Sequence, residues 1–391
     1  MAAATASSWQ TTAQIKRESL LALIPEKWRV RDIPPAEQQR NITGTFMHRY
    51  LTAREIEITE CDAVGVLERT TTGQWSAVEV TTAFCHRAAL AHQFVHCLHE
   101  IFFEAALDDA RRLDAFFAEH QRPMGALHGV PISLKDQFHV RGVETTMWYV
   151  GWIGSFQGVK DDARAGVFES ELVGGAALQD GGAGDADARG DGQQHRRVIE
   201  WSPPSHARGI QLATSAYRLD NGADAREQFG LSGERLEPFE YVFANTDPPA
   251  DAQAVAALNV GKRAYQKEYL EYWNASEALT GTGRAVDGVI WPVAPYAAAR
   301  RDGCYYVGYT SIVNVLDYSA MAIPVTTADA ALDARGDGFA PYTDAHGVVH
   351  DLYDPQLYDG TPVGLQLVGR RFHEEKLIVL AEYISEVLRG E

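Results

Sequence analysis

The sequence lacks the features of several protein classes. Its 391 residues include 35 Lys and Arg against 53 Asp and Glu, and no basic stripe interrupts this acidic background of net charge −18. A surface that binds nucleic acid or an anionic membrane needs such a stripe. No apolar stretch reaches the roughly 18 residues that a membrane-spanning helix requires. We therefore expect neither nucleic acid nor a membrane as a partner.

Cysteine is also scarce. The chain has four, and none forms a CxxC pair: Cys61, Cys85, Cys97 and Cys304. This scatter argues against a disulfide framework and a zinc site, and it is typical of buried thiols in a reducing compartment. The first ten residues, MAAATASSWQ, show no charged segment followed by an apolar run, so we expect no secretion signal. Together these observations predict a cytoplasmic protein.

What the chain does contain is an alternation of helical and extended patterns. Apolar residues recur at helical spacing in residues 8–26, 76–93, 258–274 and 372–388. Short apolar runs bounded by Pro or Gly predict strands in GVPISLKDQF (129–138), GVIWPVAPY (288–296), AMAIPVTTA (320–328) and PVGLQLVG (362–369). Strands that alternate with helices predict an α/β fold.

Residues 174–209 break this alternation. Gly, Ala, Asp, Arg and Gln dominate them, with one large aliphatic residue at 178 and a short apolar run at 198–199. Such a composition cannot bury a core, so disorder is expected. A Gly- and Asp-rich metal or phosphate loop is the alternative. No GxxxxGK[ST] motif, calcium-loop spacing or preceding strand supports that alternative.

The run GALHGVPISLKDQFHVRGVETTMWYVGW resembles the amidase signature family, and its fungal acetamidase-type members in particular. Further similar stretches are AYQKEYLEYWN…LTGTGR, PVAPYAAAR, YTSIVNVLDYSAMAIPVTTAD and YDGTPVGLQLVGRR, so that the likeness covers residues 50–172 and 255–388. The resemblance implies a single α/β/α domain over residues 1–391, with a central mixed β-sheet covered by helices. It also implies that a Ser–cis-Ser–Lys triad hydrolyses a small carboxylic amide to carboxylate and ammonia, without metal or cofactor.

Lys135 matches the lysine of that triad. Burial disfavours the ammonium form of a lysine, so that the neutral amine can accept a proton from the bridging serine. The resemblance therefore implies that Lys135 is catalytic. We expect it on an interior strand, mostly buried, with its amine near the floor of a cleft. The alternative is a structural lysine paired with a carboxylate such as Asp136.

Both serines of the triad are missing from the chain. In the family they belong to a GGSSGGE-type loop and a D-I-G-G-S-type turn, whereas this sequence contains neither GGS nor SGG. Backbone N–H groups of the missing turn would also form the oxyanion hole, often the largest catalytic contribution. The chain keeps the base but lacks the nucleophile, the bridge and the oxyanion donors, so we expect it to be inactive.

Three other serines are candidate substitutes. Ser133 lies two residues before Lys135, so a strand would present both side chains on one face. A Ser–Lys dyad is conceivable there, and a hydrogen-bonded core hydroxyl is the alternative. Ser202 and Ser205 lie in WSPPS, which lacks the strand–turn–helix context that strains a nucleophile.

Four more polar residues near these motifs have weaker assignments. His128 and His139 flank the predicted strand and are expected to pack or to face solvent rather than to act as a second base. Asp317 and Tyr318, in VLDYS, match a strongly patterned part of the family. We expect them near the pocket, without an assigned role.

The amino-acid composition of residues 174–195 is typical of a shifted reading frame, because Gly, Ala, Asp and Arg codons are rich in G and C. When one base is dropped, Gln179 followed by Asp180 can give only Lys or Arg, and Asp before Gly or Ala only Thr or Met. The permitted choices include KTAVPATLM-GETVNNI, which resembles the family sequence just ahead of the serine loop. We infer an out-of-frame segment followed by the loss of a further stretch before GIQLATS. A real indel, a sequencing error and a mis-predicted splice would look the same.

Two functions remain open at this point. The first is an amidase acting on a small amide, represented here by a chain that lacks its serine loop. The second is a non-catalytic pseudoenzyme that binds a small amide or a protein partner. The only assembly that we consider is a homodimer. The genomic DNA between codons 173 and 210 separates the two, because a restored frame favours the enzyme and stops in every transcript favour the pseudoenzyme.

Overall fold

The computed structural model describes residues 9–155 apart from 37 and 40, residues 198–235, residues 247–299, and residues 306–389 apart from 337 and 338.

Side-chain caps set the beginnings of several helices. Thr52 and Glu55 form a capping box, in which each side chain hydrogen-bonds the backbone N–H of the other. Asp62 and Ser76 each accept a hydrogen bond from the N–H three residues further on.

The regular elements in the described residues up to Ser232 are all helical, and turns or extended backbone connect them. The helices are α1 (Trp9–Ala22), α2 (Ala53–Thr59), α3 (Ala63–Thr71), α4 (Ala77–Val95), α5 (Phe103–His120), α6 (His206–Tyr217) and α7 (Ala223–Ser232). Shorter 3₁₀ turns lie at Glu26–Trp28, Gly44–Tyr50 and Val150–Trp152.

Helices and strands alternate in the second part of the chain. The elements are α8 (Ala252–Ala275), α9 (Glu277–Thr280), β1 (Val289–Pro292), α10 (Gly308–Leu316), β2 (Ser319–Thr327), α11 (Asp344–Asp351), α12 (Pro355–Tyr358), β3 (Pro362–Gly369) and α13 (Glu374–Arg389).

Backbone contacts divide the chain into two compact units. The first unit comprises residues 1–191 with 225–236, and the second comprises residues 192–224 with 237–391. The expected single domain over residues 1–391 stays a prediction.

The first unit is a group of packed helices that polar side chains tie together. Asp114 of α5 accepts hydrogen bonds from the N–H groups of Ala77 and Val78, at 2.6 and 3.0 Å, and so fixes α5 against the start of α4. A carboxylate at this position also complements the positive end of the helix dipole. Apolar clusters around Trp28 and Trp75 fill the space between the helices.

The second unit contains the sheet. Its strands run in the order β1-β3-β2, and both pairings are antiparallel, with Val289 opposite Val368 and Ser319 opposite Gly369. Helix α13 covers one face, where Leu377 packs with Ile323 of β2. The predicted α/β class is confirmed. The parallel pairs that a mixed sheet also needs are not found among the strands of the described residues.

Most of the predicted elements are confirmed, with boundaries shifted by a few residues. The predicted helices correspond to α1, α4, α8 and α13, and three of the predicted strands correspond to β1, β2 and β3. The predicted strand at 129–138 is wrong, because this segment forms turns and extended backbone without a paired strand among the described residues. None of the helices in the described part is both long and apolar enough to cross a membrane.

The expectation of disorder at 174–209 has two outcomes. Residues 174–197 lie outside the described residues. For residues 198–209 the expectation is wrong, because Ser205 caps α6 and Trp201 packs into the core of the second unit. The ring of Trp201 lies 5.2 Å from that of Trp273, and its Nε1 donates a hydrogen bond to the Tyr269 hydroxyl at 3.3 Å. A single aromatic residue therefore anchors a segment whose composition is otherwise that of a linker.

The cysteines only partly follow the sequence-based expectation. The three that lie in the described part of the chain, Cys61, Cys85 and Cys97, are free thiols. Cys85 is buried, and burial raises its pKa to about 11. Cys97 is exposed, so the expectation that it is buried is wrong. Cys304 lies outside the described residues.

Replacing Trp201 by alanine should destabilise the protein far more than replacing Trp148. Trp201 packs against Tyr269, Tyr272 and Trp273, whereas Trp148 is 71% exposed. We expect a loss of about 3 kcal/mol in the free energy of unfolding for Trp201→Ala and less than about 1 kcal/mol for Trp148→Ala. Urea unfolding followed by far-ultraviolet circular dichroism measures both values. Equal losses would show that Trp201 does not anchor this segment.

Candidate active site

The segment that carries Lys135 is firmly anchored where it begins. The Thr70 hydroxyl donates a hydrogen bond to the His128 carbonyl at 2.6 Å, and Val130 packs against the cluster around Trp75. Gly129, between them, has φ +78°, and a Cβ atom there would lie 2.8 Å from the Thr70 side chain. The position therefore requires glycine both for its backbone conformation and for space.

Lys135 itself is exposed. Its Nζ donates a hydrogen bond to Oε1 of Gln137 at 2.8 Å, and its carbonyl accepts one from the Phe138 N–H at 3.0 Å. The expectation of a mostly buried Lys135 on an interior strand is wrong. The physical reason is that no strand pairs with residues 131–138 and no described side chain covers Lys135, so the ammonium stays in contact with water.

Asp136 has a different partner from the one that the sequence indicated. Its carboxylate does not pair with Lys135 in the described structure. Asp136 Oδ2 lies 3.6 Å from Nδ1 of His99, an ion-pair distance too long for a hydrogen bond. The ring of His99 stacks on that of Trp148, with the centroids 5.2 Å apart. Asp136, the sequence neighbour of Lys135, thus belongs to a small cluster with His99 and Trp148.

The backbone next to this cluster is strained. Met147 and Trp148 both have positive φ, at 45° and 74°, which is uncommon for residues other than glycine. Nearby, Lys16 Nζ lies 2.5 Å from a Glu100 oxygen and 2.7 Å from a Glu144 oxygen. Burial is the larger effect on Glu100 and raises its pKa, against the hydrogen bond from Lys16 that lowers it. No sequence motif indicates this group, because its members are far apart along the chain.

The candidate serines do not form a Ser–Lys dyad in the described structure. Ser133 is exposed, and Lys135 donates its hydrogen bond to Gln137 instead. Ser205 is occupied as the N-cap of α6, where it accepts a hydrogen bond from the Arg208 N–H at 3.3 Å. The backbone N–H of Ser202 donates to the hydroxyl of Tyr272 at 2.9 Å. The dyad hypothesis therefore has no support from these contacts.

The two histidines on either side of Lys135 pack as expected. His128 is 3% exposed, its Nδ1 accepts a hydrogen bond from the Met124 N–H at 3.2 Å, and burial lowers its pKa. Nδ1 of His139 lies 3.1 Å from the Thr145 hydroxyl. Both of these contacts are structural in kind.

Asp317 and Tyr318 have structural partners in the second unit. Asp317 ends α10 with φ +58°, and its carboxylate lies 2.9 Å from a guanidinium nitrogen of Arg371. Tyr318 packs edge-on against Tyr269 and Trp273, and burial raises its pKa to about 12. The Tyr318 hydroxyl is buried without a hydrogen-bond partner among the described residues. Their expected position near the pocket stays a prediction.

The chemistry that these residues can perform as they stand is limited. A lysine base needs a hydroxyl to deprotonate and an environment that removes the ammonium from water. Lys135 has neither among the described residues, where an amide oxygen is its hydrogen-bond partner. Among the same residues, no group of three or more His, Cys, Asp and Glu side chains is arranged to hold a metal ion.

The fold is that of an amide hydrolase of known structure. The chain is similar to a solved fatty acid amide hydrolase with a TM-score of 0.79, over 98% of this chain and 95% of the other, at 20% sequence identity. At this identity the likeness concerns the fold alone. The family model named Amidase matches residues 79–163 and 193–378. The chain belongs to the amidase family.

Fungal acetamidases are among its relatives. The chain is 26% identical to the acetamidase of Emericella nidulans, over 97% of this chain and 98% of the relative, and 28% identical to that of Aspergillus oryzae, over 98% and 99%. The first alignment extends over 544 positions, which exceeds the 391 residues of this chain by 153. Because both sequences are covered almost end to end, most of this difference is internal to the alignment.

Replacing Gly129 by alanine should cost more stability than replacing Gly142. The two glycines have nearly the same φ, +78° and +80°, but only at Gly129 would the new Cβ meet a neighbour. We expect a loss of about 1 kcal/mol for Gly142→Ala from backbone strain and about 3 kcal/mol for Gly129→Ala. Urea unfolding of both variants measures the difference. If the two losses are equal, the contact with Thr70 does not hold this segment in place.

Proposed function

We propose that this chain derives from a hydrolase of small aliphatic amides, and that the 391-residue form has no amidase activity of its own. Membership of the amidase family and similarity to fungal acetamidases support the reaction class. In the complete enzyme, Lys135 would accept a proton from a bridging serine, which would take one from the nucleophilic serine. The attack would release ammonia and leave an ester that water hydrolyses to the carboxylate.

The observation that carries the proposed inactivity is the hydrogen bond from Lys135 to Gln137. An amide oxygen accepts this bond where the proposed mechanism needs a serine hydroxyl. Neither a GGSSGGE-type loop nor a D-I-G-G-S-type turn is present in the sequence to supply one. The break in the family match, at residues 164–192, overlaps the segment at 174–195 that resembles an out-of-frame translation. The base is therefore present without the groups that it would serve.

A non-catalytic pseudoenzyme is the second candidate. The packing of the first unit favours it, because the cores around Trp28 and Trp75 close without the missing loop, leaving these side chains 6% and 1% exposed. A chain with such a core has the means to fold and to bind a small amide or a protein partner. We also propose a cytoplasmic location, which free thiols such as the exposed Cys97 support.

The 391-residue chain should release no more ammonia from acetamide than buffer does. Loss of a nucleophile lowers the rate on the order of a million-fold in proteases, and loss of the oxyanion donors adds to this. The measurement compares the purified chain with a version in which the missing region is restored from its genomic DNA. We expect turnover in the restored version alone, and its loss on Lys135→Ala.

Two results would contradict this proposal. Equal turnover in both versions, abolished in each by Lys135→Ala, would mean that a hydroxyl in the present chain, such as that of Ser133, is the nucleophile. A restored version that folds, as judged by circular dichroism, but hydrolyses no short aliphatic amide would contradict the amidase function itself.

A further inference from the structure

The segment that follows Lys135 in the sequence is irregular and strained. Residues 139–155 form turns, with one 3₁₀ turn at Val150–Trp152, and Met147 and Trp148 have positive φ. Such conformations cost free energy and persist only where the surrounding structure holds them. The contacts that fasten this segment to the rest of the first unit therefore determine how often it opens.

Glu144 provides one of these contacts, and it joins the segment to two other parts of the first unit. Its Oε2 accepts a hydrogen bond from Nζ of Lys16, on α1, at 2.7 Å, and its Oε1 accepts one from the Gly154 N–H. Lys16 also donates to Oε1 of Glu100, in the connection between α4 and α5, at 2.5 Å. All three charged side chains are mostly buried. We call Lys16, Glu100 and Glu144 the Lys16 latch.

The charges around the latch do not balance. The carboxylates of Glu144 and Asp136 both act on that of Glu100, so that three negative charges are opposed by the single positive charge of Lys16. Asp136 Oδ2 is buried and has no hydrogen-bond donor among the described residues, since Nδ1 of His99 is 3.6 Å away. Like charges in a mostly buried group repel one another because little water screens them. The latch therefore holds the segment against a repulsion within its own surroundings.

Protonation of Glu100 removes part of this repulsion. Burial is the main cause that raises the pKa of Glu100 above the ordinary value of 4.5, and the charges of Glu144 and Asp136 raise it further, against the opposing effect of Lys16. Because this pKa is higher in the folded segment than in an open, hydrated one, the folded segment binds more protons. The resulting stabilisation is complete below the ordinary pKa and is lost as the pH rises through the pKa of the folded state.

His99 acts in the same direction. A proton on its ring places a positive charge beside Asp136, whose Oδ2 has no donor, and histidine side chains in general titrate between about pH 5 and 8. A charged His92, near the end of α4, would repel a charged His99, which reduces this effect without reversing it. Protonation of both Glu100 and His99 would change the net charge around the latch from two negative charges to none.

We propose that the Lys16 latch is a pH-sensitive switch that holds residues 139–155 tightly at mildly acidic pH and lets them open more often at mildly alkaline pH. When Glu100 is neutral, Lys16 serves one carboxylate fewer, so its charge-assisted hydrogen bond to Glu144 strengthens. Asp136 belongs to the same surroundings, so the backbone next to Lys135 follows the state of the latch. The switch does not require amide hydrolysis, and its test is independent of the proposed function.

The test is hydrogen exchange of the 391-residue chain, followed by mass spectrometry of its peptides at about pH 5 and about pH 8. Each rate is divided by the rate of an unstructured peptide at the same pH, which gives a protection factor. We expect the protection of residues 142–154 to fall by about five-fold between the two pH values, within the ten-fold that a shift of one pKa unit allows. Peptides from α8, in the second unit, should change by less than about two-fold.

Three variants connect the pH dependence to the latch. Glu100→Gln keeps the shape of the side chain without its charge, so its protection at about pH 8 should equal that of the unmodified chain at about pH 5. Glu104→Gln is the matched control, because it removes an exposed carboxylate at the start of α5 and should leave the five-fold change in place. Lys16→Met removes the shared ammonium and should lower the protection at both pH values. Circular dichroism checks the fold of each variant.

Several outcomes would overturn the switch. In the unmodified chain, they are protection of residues 142–154 that is independent of pH or that rises with pH, and an equal fall in the peptides of α8, which would indicate a change in global stability. This profile decides the matter even if a variant folds poorly. Among the variants, a five-fold fall that persists in Glu100→Gln, or that disappears in Glu104→Gln, would show that Glu100 does not control the segment.

Discussion

The pairing of β3 with a strand on each side is the interaction on which the second unit depends. β3 joins β1 and β2, which are separated from it by many residues, into one sheet, and the side chains of that sheet give α13 a surface to pack on. In the first unit, single polar side chains take the same connecting role. Gln93 holds the backbone around Trp28, Asp114 holds the start of α4, and Thr70 holds the carbonyl of His128.

Much of the fold could be predicted from the sequence because its signals are local. The spacing of Leu377, Leu380 and Ile384 indicates a helix, and PVGLQLVG coincides with β3 from its first residue to its last. The α/β class and the family followed from such stretches and are confirmed. GVPISLKDQF has an equally strong extended pattern, yet it forms no strand in the described structure. A strand depends on a partner that local composition does not encode.

The candidate site was less predictable, because it depends on contacts between distant residues. The partner of Asp136 is His99, and the partner of Lys135 is Gln137, neither of which the spacing of motifs indicates. The composition around Trp201 likewise predicted disorder, which is wrong for residues 198–209. One aromatic ring among polar and small residues gives no periodic signal. The absence of both serine motifs, in contrast, can be read directly from the sequence.

The outer edge of β2 has a consequence for how this protein behaves in concentrated solution. β2 is nine residues long, carries no charged side chain, and leaves one side without a paired strand among the described residues. Met321 is 37% exposed on it, and Pro324, beside a bulge in the pairing with β3, is its main irregularity. Unprotected edges of this kind are templates on which other extended chains assemble, which natural proteins usually prevent with charges or covering segments. Self-association in concentrated solution is therefore the property that this strand edge would affect first.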